Sequence, residues 1–159
     1  MSQNPPAARR INGAKFRIGV VAARFNETLV DGLLTRLLEH LRSSGVPAGR
    51  IEIVRVPGSH EVPWAAGRLA ASRRFDCVVT LGVLIGGDTN HHEMVGQSVS
   101  HALQRVALDT GIPVINGVIV TATEAQARAR CTGRINRGSE FAAAALVMAQ
   151  LKTTLKGKS

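Results

Sequence analysis

An α/β sandwich built on a parallel sheet of four strands is the fold class this sequence predicts, and three observations carry the prediction. Four runs of strand length alternate along the chain with segments of helical periodicity. The third run is apolar on nearly every residue, as a strand buried on both faces is. The helical segments between runs provide the crossovers that parallel strands require. With 159 residues and 45% hydrophobic content, the chain suits one well-buried core rather than two ordinary domains.

Residues 1–13 are rich in Pro, Asn, Ala and Arg and read as a mobile arm ahead of a single domain over residues 14–159. The first strand is FRIGVVAA, residues 16–23. Leu29, Leu33, Leu34, Leu37, Leu38 and Leu41 then recur at helical spacing, and Gly45 with Pro47 ends that helix. IEIVRV, residues 51–56, alternates as a strand does. A short helix follows, tolerating Pro63 in its first turn, with Trp64, Ala65, Leu69 and Ala70 as its apolar surface. CVVTLGVLI, residues 77–85, is the third strand. Met94, Val95, Val99, Leu103, Val106 and Ala107 mark one side of a long helix stopped by Gly111 and Pro113. VINGVIV, residues 114–120, is the fourth strand. A short helix near residues 124–130 and an alanine-rich helix over residues 139–155 complete the chain, the latter with cations toward the end that its dipole favours. Right-handed crossovers leave few topologies. The expectation is a doubly wound, flavodoxin-like three-layer sandwich with strand order 2-1-3-4.

No apolar stretch approaches the roughly 20 residues of a membrane span, and MSQNPPAARR has no apolar core after its charges. Neither a secretory signal nor a membrane partner is expected, and the expected compartment is the cytoplasm. Cys77 and Cys131 belong to no paired motif, so they read as two reduced thiols rather than a disulfide or a zinc site. The formal charge of +9 raises the question of nucleic acid. Part of that excess lies at the ends, in Arg9, Arg10, Lys152, Lys156 and Lys158, and aromatic residues are only 3%, leaving few platforms for bases. A basic surface that draws in anionic small molecules explains the charge, and no nucleic-acid partner is expected.

In sheets of this kind ligands bind beyond the carboxyl ends of the strands. RFNET (residues 24–28), PGSHE (57–61), GGDTNHHE (86–93) and TATEAQARAR (121–130) all follow strands and fall on that one edge, whereas the opposite connections SGVPAGR and SRRFD are ordinary polar turns. In the third loop, Gly86 and Gly87 let backbone approach a ligand, and the N–H groups of Asp88 and Thr89 open a helix whose dipole favours an anion. The alternative is that Asp88 or Thr89 merely caps the helix. His91 and His92 point about 100° apart and have no i, i+4 histidine partner, so they do not chelate a metal in the usual way. A histidine in a first helical turn suits a neutral proton shuttle, though surface histidines are common. Phe25 either caps the core or stacks on a planar ring. Glu61 is either a helix N-terminal charge or an acceptor for ligand hydroxyls. Arg130 is either a solvated cation in the group Arg128, Arg130, Arg134 and Arg137 or a bidentate phosphate clamp.

RFN at 24–26, VPGSHEVP at 56–63, LGVLIGGDTNHHE at 81–93 and NRGSEFAAAAL at 136–146 stand in the order and spacing of the lumazine synthase family, which the chain resembles over residues 16–151. The resemblance implies condensation of 5-amino-6-ribitylamino-uracil with 3,4-dihydroxy-2-butanone 4-phosphate to 6,7-dimethyl-8-ribityllumazine, a step of riboflavin biosynthesis, with no metal or organic cofactor. It implies that Phe25 stacks on the pyrimidine beside Asn26, and that Ser59, His60 and Glu61 hold the ribityl chain and ring edge. Leu84 and Ile85 would offer backbone contacts to the heterocycle, and Gly87, Asp88, Thr89 and Arg130 would hold phosphate. His91 would transfer protons. It further implies a homopentamer whose sites lie between adjacent copies, with Asn116, Arg130 and supporting Arg137 serving a neighbour's Phe25 and His91. Decamers or sixty-subunit shells, and association with riboflavin synthase, occur among such proteins. The turn RCTGRINRG, residues 130–138, is one residue shorter than the corresponding turn of shell-forming members, which favours the pentamer. Gly86 stands where many relatives carry a cation, His92 replaces a common phenylalanine, Arg137 a common lysine, and Asn116 sits where some place a ring. The alternative reading is therefore a catalytically weak flavin-binding or shell-forming paralogue.

Overall fold

The computed structural model describes residues 10–156, so Arg9, Lys158 and residues 1–9 of the expected arm lie outside the described residues. The last residues of that arm meet the body of the protein: Ile11 packs against the core and the Gly13 N–H donates to the Ser44 carbonyl at 2.7 Å.

Among the described residues four strands and five α-helices follow, besides two short 3-10 turns at Ala48–Arg50 and Ser59–Glu61: β1 Ile18–Ala23, α1 Glu27–Ser43, β2 Ile51–Val56, α2 Val62–Ala71, β3 Cys77–Ile85, α3 His91–Thr110, β4 Val114–Thr121, α4 Glu124–Cys131 and α5 Arg137–Lys156. The four strands form one all-parallel sheet of order β2-β1-β3-β4, as the sequence predicts. The register aligns Ile18 with both Ile51 and Cys77, and Ile85 with Thr121, so the strands leave the sheet at a common edge.

Burial follows position. The central strands β1 and β3 are enclosed apart from the last two residues of β3, while the edge strands β2 and β4 are largely half-buried or exposed. One face of the sheet is covered by α1, α4 and α5, whose Leu33, Leu37, Leu41, Ala127, Ala142 and Leu146 join Val20 and Val79 in one cluster. The other face is covered by α2 and α3 through Val62, Ala66, Leu69, Val99 and Leu103.

The stops expected at Gly45 and Gly111 are, among the described residues, the glycines of positive φ, 92° and 67°, where glycine continues the chain without strain. Two expectations need correction. Trp64 is 74% exposed and Met94 60% exposed, so neither belongs to the buried face of its helix. In α2 the buried stripe is Val62, Ala65, Ala66, Leu69 and Ala70 at helical spacing, and Trp64 projects away from it. The composition of a short apolar helix does not separate its two faces.

Candidate functional site

Hydrogen bonds between successive strand exits knit the carboxyl edge of the sheet into a rim. The Arg24 N–H donates to the Val56 carbonyl at 2.8 Å and the Phe25 N–H to the Pro57 carbonyl at 3.0 Å, joining the exits of β1 and β2. Asn26 adopts the left-handed conformation at φ 56°, which asparagine tolerates, and its Nδ2 donates to the Val83 carbonyl at 2.9 Å. That bond ties the start of α1 to β3. The Gly86 N–H donates to the Thr121 carbonyl at 2.8 Å, joining the exits of β3 and β4.

Phe25 is 74% exposed on this rim, so it does not cap the core; its ring is free to stack. At the β2 exit, Oε2 of Glu61 accepts from the Gly58 N–H at 2.9 Å, which leaves its other oxygen uncommitted on an exposed residue. His60 beside it is exposed. Ser59 differs: it is 4% exposed and its Oγ has no hydrogen-bond partner among the described residues. A Cβ on Gly82 would meet that Oγ at 2.5 Å, so the hydroxyl faces β3 rather than the rim.

Leu84 and Ile85 end β3 half-buried, and Gly87, Asp88 and Thr89 follow it exposed. No side chain caps α3 at its N-cap residue Asn90, and the nearest approach is Thr89 Oγ1 at 3.4 Å from the His91 N–H, a weak bond at best. The capping role that Asp88 offered is not taken up. His91 is exposed as the first residue of α3, whereas His92 is half-buried with its Nδ1 enclosed and unpartnered among the described residues.

Three expected site residues lie off this rim. Asn116 is exposed within edge strand β4, opposite Thr80, with Oδ1 accepting from the Val118 N–H at 3.1 Å. Arg130 lies in the last turn of α4, six residues and about 9 Å of helix rise from its start. Its Nη1 donates to the Gln126 carbonyl at 2.9 Å. Arg137 opens α5, paired with Glu140. An open groove of about 440 Å³ between α3 and β4 is lined by Glu93, Gly96, Gln97, Ser100 and Val120, none of them an expected ring-binding residue.

Sequence reasoning passed over Gln126. Its Oε1 accepts from the Ala122 N–H at 3.1 Å and its own N–H donates to Thr123 Oγ1 at 3.3 Å, fixing the β4 exit to the first turn of α4. The signal was present as T-x-x-Q, the pattern of a capping box. The thiols are set apart from the rim chemistry. Burial pushes the Cys77 thiol up to about 12 and, with part of that offset by the cations of Arg36 and Arg130, the Cys131 thiol up to about 11. Both are free, and neither is a nucleophile near neutral pH. Among the described residues, no group of His, Cys, Asp and Glu stands together as a metal site, and no helix is long and apolar enough to cross a membrane.

The rim thus brings together a ring, a carboxylate, a loop of exposed backbone at a helix start and an imidazole. A family model described as 6,7-dimethyl-8-ribityllumazine synthase matches residues 15–153. Proteins of that description from other organisms are similar over most of their length. That of Nitrosospira multiformis is 41% identical over 145 residues, covering 91% of this chain and 89% of the relative. That of Thermococcus gammatolerans is 42% identical over 139 residues, covering 87% and 89%. That of Desulfotalea psychrophila is 43% identical over 148 residues, covering 92% and 94%.

Proposed function

Because the chain belongs to the 6,7-dimethyl-8-ribityllumazine synthase family, we infer that the rim is one half of a lumazine synthase active site in riboflavin biosynthesis. The substrates that follow from the product are 5-amino-6-ribitylamino-uracil and 3,4-dihydroxy-2-butanone 4-phosphate. The observation that carries the assignment is the division of the expected residues: Phe25, Glu61, residues 87–89 and His91 share one rim, while Asn116, Arg130 and Arg137 stand off it. Such a division suits a slot closed by an adjacent copy of the chain.

In this reading the pyrimidine stacks on the exposed Phe25, with Asn26 holding the β1 exit in place through Val83. The ribityl chain runs along residues 59–61, met by the free oxygen of Glu61, by His60 and by the backbone of Ser59, whose hydroxyl faces inward. Leu84 and Ile85 supply backbone contacts to the ring at the end of β3. The phosphate lies against the amides of Gly87, Asp88 and Thr89 at the uncapped start of α3. Arg130 of the adjacent copy completes its neutralisation, with Arg137 in support.

The chemistry then suits the groups. The ring amine attacks the ketone, and loss of water gives an imine. Elimination of phosphate follows, and a second dehydration closes the new ring. Each step moves a proton, and His91 at the helix start is placed to carry it. Holding two substrates in register supplies much of the rate. Donors fixed around the phosphate both anchor the smaller substrate and stabilise the leaving dianion.

The oligomer proposed is a pentamer. Large apolar side chains left exposed on one copy, Trp64 and Leu108 among them, support burial against another. The deciding experiment mixes the purified protein with both substrates and follows the lumazine chromophore. Turnover well above the spontaneous reaction is expected. No acceleration would reject the assignment, and tight riboflavin retention without turnover would replace it with a flavin-binding role.

A further inference from the structure

The two edges of the sheet carry opposite charge. The segments that lead out of the strands, residues 24–28, 57–61, 86–93 and 121–130, hold three cations and five acids. Those that lead into the strands, residues 10–17, 44–50, 72–76 and 111–113, hold six cations and one acid. The basic excess therefore gathers on the edge away from the candidate site. Even the six residues of β1 span about 20 Å, more than twice the screening length of about 8 Å at physiological salt. These cations do not hold substrates at the rim.

Arg10, Lys15, Arg17, Arg50, Arg73 and Arg74 are all exposed. The one acid among them is already neutralised: Asp76 Oδ2 accepts from the Arg17 N–H at 2.9 Å and Oδ1 from Lys152 Nζ at 3.3 Å. Arg74 is committed to Glu52. Among the described residues Lys15, Arg17 and Arg73 pair with no acid. Arg73 moreover adopts the left-handed conformation at φ 54°, where glycine or asparagine costs less. A cation stands there against backbone preference.

The arrangement is a row rather than a nest. Ile18 lies in register with both Ile51 and Cys77, so Arg17 and Arg50, each one residue ahead, stand on neighbouring strands about 5 Å apart. Arg50 Nη1 donates to the Lys15 carbonyl at 2.7 Å, which places Lys15 beside them, and Arg73 lies in the turn that enters β3. Cations converging on one point suit a small anion; a line of them suits a chain of phosphates. The only aromatic residues of these segments are Phe16 and Phe75, each 2% exposed beneath the cations of Lys15 and Arg74 at 5.3 and 5.0 Å from the ring centres. No ring is offered to an unpaired base. Scarce aromatics speak against base stacking but leave contact with a paired backbone open. We propose that the strand-entry edge docks the phosphate backbone of double-helical nucleic acid without regard to sequence, a role separate from the chemistry of the rim.

The test titrates labelled DNA and RNA duplexes with the full chain, following fluorescence anisotropy across a salt series. Neutralisation of phosphates by Lys15, Arg17, Arg50 and Arg73 should give a Kd on the order of 10⁻⁶–10⁻⁴ M at physiological salt and a slope of log affinity against log salt of about −3 or steeper. Binding of either duplex sustains the proposal, and the tighter one identifies the helix preferred. Arg17→Gln combined with Arg73→Asn should weaken binding by about tenfold and flatten the slope by about 2, with lumazine formation and the urea midpoint retained, since asparagine tolerates the left-handed turn. Arg24→Gln combined with Arg128→Gln removes the same charge from the opposite edge and should change binding far less. No binding at physiological salt, equal losses in the two double variants, or capture of polyglutamate or phosphatidylserine vesicles as tight as that of the duplexes would overturn the proposal.

Discussion

Replacing Gly138 with alanine tests the packing that sets α5 against α1. The added methyl would lie 2.4 Å from the Leu33 carbonyl oxygen, 2.8 Å from Arg36 Cβ and 3.1 Å from the Leu37 nitrogen. Two of these are backbone atoms inside a helix, so relief requires the helices to separate by roughly 1 Å. That separation would also stretch the 2.6 Å contact of His40 Nδ1 with Ser139 Oγ. Overpacking of this kind costs about 1–3 kcal/mol, and alanine's better helix propensity returns at most about 1 kcal/mol. A net loss of about 1–2 kcal/mol is expected in urea unfolding followed by circular dichroism. Gly67→Ala is the matched control. There the nearest atom to the new methyl is Val106 Cγ2 at 3.6 Å, an ordinary contact. The same measurement should show that variant more stable by about 0.5–1 kcal/mol. An unchanged midpoint for Gly138→Ala, or a loss for Gly67→Ala, would refute the reasoning from close approach.

Other consequences are as direct. His91→Ala should slow turnover by about 10²–10⁴-fold while leaving pyrimidine KM nearly unchanged; a fast His91→Ala beside a slow His92→Ala would transfer the proton work to the half-buried neighbour. Ser59→Ala removes a buried hydroxyl with no partner among the described residues and should stabilise the chain by about 1 kcal/mol, with pyrimidine KM unchanged. A rise in that KM would mean that the hydroxyl turns toward substrate. Between pH 9.0, the ordinary thiol value, and about 12, the folded chain keeps the Cys77 proton that the unfolded chain loses. Stability therefore falls with rising pH across that window by about 1.4 kcal/mol per unit from this group. Cys77→Ala should show a shallower alkaline loss, and identical slopes would contradict the burial account.

The fold was legible because its signal is redundant. Each of β1, α1 and β3 repeats an apolar pattern over many residues, and parallel strands with right-handed crossovers admit few arrangements. Apolar residues at a helix start mislead. Trp64 and Met94 lie outside the core, and composition does not distinguish an apolar face turned inward from one turned outward. The rim was legible as residue types, since glycine, aspartate, histidine and an exposed aromatic at strand exits have no common structural use. Its geometry was not. Whether Ser59 points at substrate or at Gly82 depends on separations of a few tenths of an ångström. No pattern of residue types encodes such distances.

The same limit applies to the completeness of the site, and here a mixing experiment goes further than any single chain. His91 begins α3 on the rim, whereas Arg130 ends α4 away from it. If both act on one bound pair of substrates, they come from different copies joined head to tail around a ring. Take His91→Ala, which keeps Arg130, and Arg130→Ala, which keeps His91, each nearly inactive alone. In pentamers assembled from equal amounts of the two, a site is intact when one copy supplies His91 and the adjacent copy supplies Arg130. Random assembly makes about a quarter of sites intact. Activity should therefore recover to about a quarter of the unaltered rate after unfolding and refolding the mixture together, but not after mixing the folded variants. Were His91 and Arg130 of one chain to serve the same site, every site in the mixture would lack one of them and no recovery would occur. The outcome thus separates a shared site from a self-contained one without requiring the position of either residue in the assembly to be known beforehand.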